Sequence, residues 1–181
     1  MKQVATLAQK AAYSLSLIRC WYEAWGGKVY VSFSGGRDST VLLDLVRRIY
    51  PDVPGVFVNT GLEYPEIVSF VKTVPNVITL HPKVPFHKVI EKYGWPVVSK
   101  EQSQFISELR TTKSESLRNT RLNGNRWGRS KVSEKWKFLI DAPFKISHVC
   151  CKKLKKDPMN AFCKETGIQP MLGNMAVESS L

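Results

Sequence analysis

Apolar positions in the first 80 residues alternate between short continuous runs and helical spacing. The runs at 28–33, 54–60 and 76–80 are rich in β-branched and aromatic residues, which favours buried strands. The segments between them, 38–50 and 64–74, repeat their apolar residues with the period of an amphipathic helix. This strand–helix order predicts right-handed crossovers and a parallel sheet.

The pattern after residue 80 predicts mainly helices. Residues 85–94 read as a short helix, and residues 99–119 begin with Ser99 and Gln102 in the spacing of a capping box. Residues 157–167 read as a helix in which Asp157 is the N-cap, Pro158 holds the first position and Gly167 ends the helix.

Two further apolar segments complete the predicted fold. Residues 136–140 and 169–176 are interpreted as strands, which brings the sheet to five. The prediction is an α/β fold with a doubly wound, mainly parallel five-stranded sheet and helices on both faces. We expect a single domain over 1–181, with an N-terminal helix at 1–26 and a basic, flap-like insertion at 100–135.

Positive charge is concentrated in one part of the chain. The net charge is +12, and residues 100–160 contain 15 Lys and Arg against 6 Asp and Glu. Such a surface attracts phosphates, whether on a small nucleotide or on a nucleic acid; the alternative is a solvated basic face. Trp127 and Trp136 lie within this segment, where aromatic rings can stack on bases. Residues 121–135 are also glycine-rich and are expected to be mobile.

Composition predicts a cytoplasmic protein. The 181 residues contain no run of eighteen apolar positions, and the N-terminus lacks the pattern of a signal peptide, so no membrane partner is expected. Two of the four cysteines are adjacent, which disfavours a disulfide between them. Free thiols are expected.

The stretch SFSGGRDST (32–40) joins the first predicted strand to the first crossover helix. Ligands of open parallel sheets bind at such strand-to-helix turns. Gly35 and Gly36 let a ligand approach the main chain, the helix N-terminus attracts an anion, and neighbouring hydroxyls add donors. A phosphate-binding loop is predicted, although neither G-x-x-x-x-G-K-[ST] nor G-x-G-x-x-G is present. The alternative is a plain tight turn.

Four segments in order resemble one family. SGGRDS (34–39) resembles the S-G-G-x-D-S signature of the PP-loop superfamily of ATP pyrophosphatases. VFVNTGLEYPE (56–66) resembles a segment of phosphoadenosine phosphosulfate (PAPS) reductases, with Asn59 in place of the usual aspartate. CCKKLKKDP (150–158) and GNMAVES (173–179) resemble the Cys-Cys and late Glu-Ser segments of that family. The resemblance implies a Rossmann-like fold of the adenine nucleotide alpha hydrolase type and a role in sulfur metabolism.

The resemblance also implies a set of site residues. The nucleotide-binding positions would be Phe33, Ser34, Gly35, Gly36, Arg37, Asp38, Ser39, Asn59, Thr60, Gly61, Gly173 and Glu178. Arg37 and Asp38 would act in catalysis, Arg37 as a cation toward phosphate and Asp38 as a helix cap or a ligand of Mg²⁺. The ligand would be an adenine nucleotide: ATP, PAPS or adenosine phosphosulfate (APS).

The remaining expectations concern the cysteines and a possible metal site. Cys150 and Cys151 are candidate metal ligands, with Cys163 or His148 as further ligands; the alternative is that they are merely buried. Relatives that hold a [4Fe–4S] cluster add a C-x-x-C motif, and reductases add a tail cysteine. Neither follows here, so we expect no complete cluster in this chain alone and envisage a partner protein or homodimer.

Three functions follow as expectations. The first is an enzyme of PAPS-reductase type, or an ATP pyrophosphatase, acting in sulfur or adenylyl transfer. The second is a sulfur-inserting factor for tRNA or DNA, favoured by the basic segment. The third is a shortened, non-catalytic nucleotide-binding relative.

Overall fold

The computed structural model describes residues 5–174. In that range the chain forms one sheet of four parallel strands: β1 (Val29–Ser32), β2 (Gly55–Val58), β3 (Val77–Leu80) and β4 (Gln169–Met171). The strand order is β3-β2-β1-β4, so β1 pairs with both β2 and β4. The α/β class and the parallel sheet are confirmed, and the described sheet has four strands where five were predicted.

Seven α-helices occur in the described residues. They are α1 (Leu7–Ala24), α2 (Arg37–Arg47), α3 (Pro65–Thr73), α4 (Phe86–Tyr93), α5 (Lys100–Thr111), α6 (Glu115–Asn123) and α7 (Asp157–Thr166). None of the helices in residues 5–174 combines the length and the apolar character that crossing a membrane would require.

The chain divides into two compact units, residues 1–82 with 157–181 and residues 83–156. The first unit contains the sheet. Side chains alternate across β1, so Val29 and Val31 lie in a core with α1, α2 and α3, whereas Tyr30 packs edge-on against Phe162 of α7. The central strand of this unit is therefore covered by helices on both of its faces.

The second unit has its own apolar core. Its buried members are Phe105, Ile106, Leu109, Val132, Leu139 and Ile146. The predicted insertion at 100–135 lies inside this unit, which begins earlier and ends later along the chain. Residues 100–123 are mostly helical, and the following loop is hydrogen-bonded: the Arg121 guanidinium donates to the Ser130 carbonyl at 2.8 Å. The glycine-rich segment that was expected to be mobile thus lies within a folded unit.

The predicted strand at 136–140 is wrong, because these residues belong to a 3₁₀-helix, Glu134–Asp141. Short apolar runs do not distinguish a buried strand from a helical turn. Here the carbonyls of Leu139 and Ile140 accept hydrogen bonds from the Arg110 guanidinium, at 2.6 and 2.7 Å, instead of from a neighbouring strand.

The predicted start of the last helix is also wrong. Helical structure begins at Cys150 and passes through a π-helical turn, Lys152–Lys156, before α7, so Asp157 is not an N-cap. Pro158 has no N–H to donate within the helix and lies in the second position of α7, directly after the π-turn.

Arg110 ties α5 to the end of the 3₁₀-helix, and its loss is expected to destabilise the second unit. Its guanidinium donates to four carbonyls, those of Leu139, Ile140, Ala142 and Phe144. Arg110→Met should lower the free energy of unfolding by about 2–4 kcal/mol, because several charge-assisted hydrogen bonds are lost and water can replace only some of them. Thermal melts provide the measurement. Arg118→Met, at an exposed position on α6, is the matched control, and an equal effect of both substitutions would contradict this role.

Candidate nucleotide site

The carboxyl ends of the parallel strands bring three of the predicted segments to one edge of the first unit. The 34–39 loop follows β1, residues 59–61 follow β2, and Gly173 follows β4. Strand order reverses at β1, since the chain proceeds from β1 toward β3 on one side and returns to β4 on the other. Crevices at such reversal points are the usual ligand sites of open α/β sheets.

The two glycines of the loop have different roles. Gly35 has a φ of +74°, and a Cβ built on it would lie 2.9 Å from Ile67 Cγ2. Gly36 has a φ of −79° and is the N-cap of α2; a Cβ there would meet only Ser34 Oγ, at 3.3 Å. Gly35 is therefore required by the backbone and by packing, whereas the space in front of Gly36 is open to a ligand.

The N-terminus of α2 presents unpaired donors. The first hydrogen bond of the helix joins the Thr40 N–H to the Gly36 carbonyl at 3.0 Å. The N–H groups of Arg37, Asp38 and Ser39 therefore have no acceptor within the helix. They carry the positive end of the helix dipole, which favours an anion at this position.

Hydroxyl groups brace the loop from inside. Ser39 Oγ, which is buried, donates to the Gly36 carbonyl at 2.9 Å and accepts from the Ser34 N–H at 3.2 Å. Thr40 Oγ1 donates to the same carbonyl at 2.9 Å. The sequence suggested that these two hydroxyls would be free to donate to a ligand. In the structure they instead hydrogen-bond to the backbone of the loop and fix the N-terminus of α2, whose N–H groups face outward.

Gly173 allows the end of β4 to approach α2 closely. A Cβ on Gly173 would lie 3.1 Å from the Asp38 carbonyl oxygen and 3.4 Å from the Ser39 nitrogen. Any larger residue would push β4 and α2 apart. The fold thus brings together the first and last segments of the sequence pattern, which are separated by more than 130 positions.

Glu63, which was not among the predicted site residues, fixes the segment after β2 by hydrogen bonds. The Glu63 carboxylate accepts hydrogen bonds from the Thr60 N–H at 2.8 Å and from Thr60 Oγ1 at 2.9 Å. Asn59 Oδ1 accepts from the Gly61 N–H at 3.0 Å, and Gly61 has a φ of +80°. The sequence could have indicated Glu63 by its position just before Tyr64 and Pro65, because carboxylates are favoured near helix N-termini.

Other predicted residues are placed as follows. Arg37 and Asp38 are exposed in the first turn of α2. Phe33, one of the predicted nucleotide-binding residues, is 1% exposed and lies in the core near Phe70. Its side chain therefore offers almost no surface to a ligand. Glu178 lies outside the described residues.

The cysteines do not assemble into a metal centre within residues 5–174. No group of three or more His, Cys, Asp or Glu side chains in that range is arranged to hold a metal ion. Cys150 and Cys151 are partly buried neighbours at the start of a helix. Cys163 Sγ lies 3.2 Å from the Tyr30 hydroxyl, and burial together with this hydrogen bond raises the pKa of that phenol. These described donors do not fit a [4Fe–4S] cluster, which commonly uses four thiolates.

An apolar groove of about 740 Å³ opens beside the loop. It is lined by residues of α1, α2 and 170–174, including Asp38 and Gly173. Trp21, Leu42 and Met171 contribute to its apolar wall. Its volume is typical of pockets for small molecules, which fall in the range of about 300–1,000 Å³.

Comparisons with known proteins agree with this geometry. The chain is 37% identical over 91 residues to an uncharacterised protein of Methanocaldococcus jannaschii, covering 46% of this chain and 22% of the relative. It is 27% identical over 96 residues to adenosine 5′-phosphosulfate reductase of Geobacillus kaustophilus, covering 53% and 38%. It is 32% identical over 69 residues to phosphoadenosine 5′-phosphosulfate reductase of Escherichia coli, covering 38% and 28%. The chain thus spans at most 38% of the length of these relatives.

A family model covers far more of the chain than any of these pairwise matches. It describes the phosphoadenosine phosphosulfate reductase domain and matches residues 28–173. That range includes the loop after β1, the segment after β2 and the glycine after β4. The chain therefore belongs to the phosphoadenosine phosphosulfate reductase domain family.

Proposed function

We propose that this protein binds an adenine nucleotide (PAPS, APS or ATP) by its phosphates at the N-terminus of α2 and acts in sulfur or adenylyl transfer. The observation that carries the proposal is the set of unpaired N–H groups at Arg37, Asp38 and Ser39, held outward by a braced loop. Family membership and the reductases among the relatives support it.

The backbone of the loop and the side chains of Arg37 and Asp38 have separate roles in this proposal. The backbone N–H groups donate to phosphate oxygens, and Gly36 leaves room for them to approach. The exposed Arg37 guanidinium offers paired donors to a second phosphate oxygen. Asp38 is placed to hold a Mg²⁺ ion bridged to the phosphates, which would neutralise charge on the bound nucleotide.

The surroundings supply the rest of the binding site. The apolar groove that begins at Asp38 and Gly173 has the volume to accommodate the non-phosphate part of a ligand or an acceptor. The loop fixed by Thr60 and Glu63 presents Asn59 and Gly61 at the same edge of the sheet, where they would meet ribose or base. Preorganised loops lose less entropy when a ligand binds.

Calorimetric titration with ATP, PAPS and APS tests the proposal, with and without Mg²⁺. We expect saturable binding of at least one nucleotide and a weaker response to adenosine, because the phosphates supply the main contacts. Asp38→Asn should retain binding without Mg²⁺ and lose the enhancement that Mg²⁺ gives. If none of the three nucleotides binds, the proposal is wrong.

Product analysis then separates transfer chemistry from simple binding. Release of AMP and pyrophosphate from ATP indicates adenylyl transfer, and release of sulfite from PAPS or APS in the presence of a dithiol indicates reduction. Tight binding without either product would identify a non-catalytic nucleotide-binding member of the family.

A further inference from the structure

The second unit carries a tryptophan on an ordered surface turn. Trp127 is 66% exposed, an unusual position for so large an aromatic side chain. The guanidinium of its neighbour Arg126 lies over the indole ring, 3.8 Å from the ring centroid. One face of the indole is thus covered by a cation, and most of the remaining ring surface is open.

The turn that presents Trp127 is held by its own hydrogen bonds. Asn125 Oδ1 accepts from the N–H groups of Trp127 and Arg129, each at 3.0 Å. The backbone of Asn125 bonds to Arg129 and Gly128 at 2.8 Å. Gly124 packs against Gly128 so closely that a Cβ on Gly124 would lie 2.9 Å from the Gly128 carbonyl carbon. A turn with this many internal bonds fixes its backbone, so Trp127 loses little freedom when it binds a partner.

A second exposed aromatic lies on the 3₁₀-helix. Phe138 is also 66% exposed, its ring is 6.2 Å from that of Trp136, and Lys135 Nζ lies 5.3 Å from the Trp136 centroid. Residues 128–131 of the turn and the start of the 3₁₀-helix, Ser133 and Glu134, line one open hollow of about 460 Å³. The hollow therefore lies between the turn that carries Trp127 and the start of the 3₁₀-helix that carries Phe138, although neither ring lines it.

Three cations of the turn and the 3₁₀-helix are unpaired in the described part of the chain. Arg126, Arg129 and Lys135 make no ion pair within 4 Å in the described part of the chain. The hollow itself is lined by two acidic residues, Glu101 and Glu134, and two basic ones, Arg129 and Lys131, and Glu134 forms an ion pair with Lys137 at 2.9 Å. Unpaired cations next to exposed rings match the two components of a polynucleotide, its phosphates and its bases.

We propose that this surface, composed of Arg126, Trp127, Arg129, Lys135 and Phe138, binds a single-stranded nucleic acid. An unpaired base stacks on the open face of Trp127, and the adjoining phosphates contact Arg126, Arg129 and Lys135. Bases within a duplex are already stacked on each other, so a duplex satisfies only the phosphate contacts. This site is separate in sequence from the nucleotide loop, and the inference does not depend on the function proposed for that loop.

Fluorescence anisotropy on the full chain tests the proposal, with fluorescein-labelled 20-nucleotide oligo-U RNA, oligo-dT DNA and a 20-base-pair DNA duplex. We expect at least one of the two single strands to bind more tightly than the duplex. The affinities for RNA and for DNA then show which kind of single strand the protein prefers. Trp127→Ala should weaken single-strand binding by about 5- to 150-fold, the range for loss of one stacking aromatic. Trp127→Phe should retain much of the affinity, because the ring persists.

Matched variants separate this surface from general charge and exposure. Tyr13→Ala removes an aromatic that is equally exposed, at 66%, but lies on α1, and it should leave affinity unchanged. Arg126→Gln with Arg129→Gln should reduce the slope of log affinity against log salt by about 1.4, whereas Lys10→Gln with Arg19→Gln should not. The proposal is overturned if no single strand binds at low salt, if the duplex binds more tightly, or if Trp127→Ala binds like the wild type.

Discussion

Gly36→Val is expected to abolish nucleotide binding, lowering affinity by more than about 100-fold, while the protein remains folded. The new side chain would stand in front of the outward N–H groups of Arg37, Asp38 and Ser39 and would exclude phosphate from them. Its Cβ would meet only Ser34 Oγ, at 3.3 Å; that hydroxyl accepts from the Gly36 N–H at 3.3 Å and lies 3.1 Å from Ser39 Oγ, and a small shift of its side chain would relieve the contact. Replacing an N-cap glycine with valine costs about 1 kcal/mol, too little to unfold a typical domain.

Titration calorimetry and thermal melts on the same preparations measure both parts of this prediction. Gly167→Val is a matched control. Gly167 precedes β4 and so lies at the amino ends of the strands, opposite to the loop, and a Cβ on it would meet no atom within 4 Å. This control should lose some stability at its φ of +73° and retain nucleotide affinity. If Gly36→Val binds as tightly as the wild type, the loop is a structural turn and the proposed function loses its main support.

Gly35→Val, in contrast, is expected to reduce mainly the stability of the fold. A β-branched residue at a φ of +74° is strained, and its Cβ would lie 2.9 Å from Ile67 Cγ2 and 3.2 Å from Val71 Cγ2 in α3. Strain and overpacking together should lower the free energy of unfolding by about 2–5 kcal/mol. For a chain of this length, the melting temperature should fall by about 5–20 °C.

A smaller side chain at the contact provides the control for this effect. Ile67→Ala combined with Gly35→Val should recover the part of the loss that comes from overpacking and leave the part that comes from the backbone angle. A melting temperature of Gly35→Val within about 2 °C of the wild type would contradict the assignment. Adjacent glycines in one motif would then not differ in role as the structure indicates.

Within the described residues, the sequence alone determined the parallel strands β1 to β3 and the crossover helices α2 and α3. Continuous β-branched runs and a helical repeat are local signals, and the handedness of a crossover follows from the chirality of the chain. The loop at 34–39 was also predictable, because closely spaced glycines between a strand and a helix permit the positive φ and the close backbone approach that such a turn requires. The resemblance to PAPS reductases rested on four short segments, two of them in this part of the chain, and the family match confirmed it.

Only the tertiary structure decided how individual side chains are used. Phe33 directly follows the carboxyl end of β1, yet it continues the alternation of Val29 and Val31 and lies in the core, where its neighbours come from distant parts of the chain. The run at 136–140 is helical, and the carbonyls near the end of that helix accept hydrogen bonds from Arg110, 29 or 30 positions earlier. The distinct roles of Gly35 and Gly36 likewise depend on α3 packing behind one glycine and open space in front of the other. Such contacts are long-range, so no local pattern of residues encodes them.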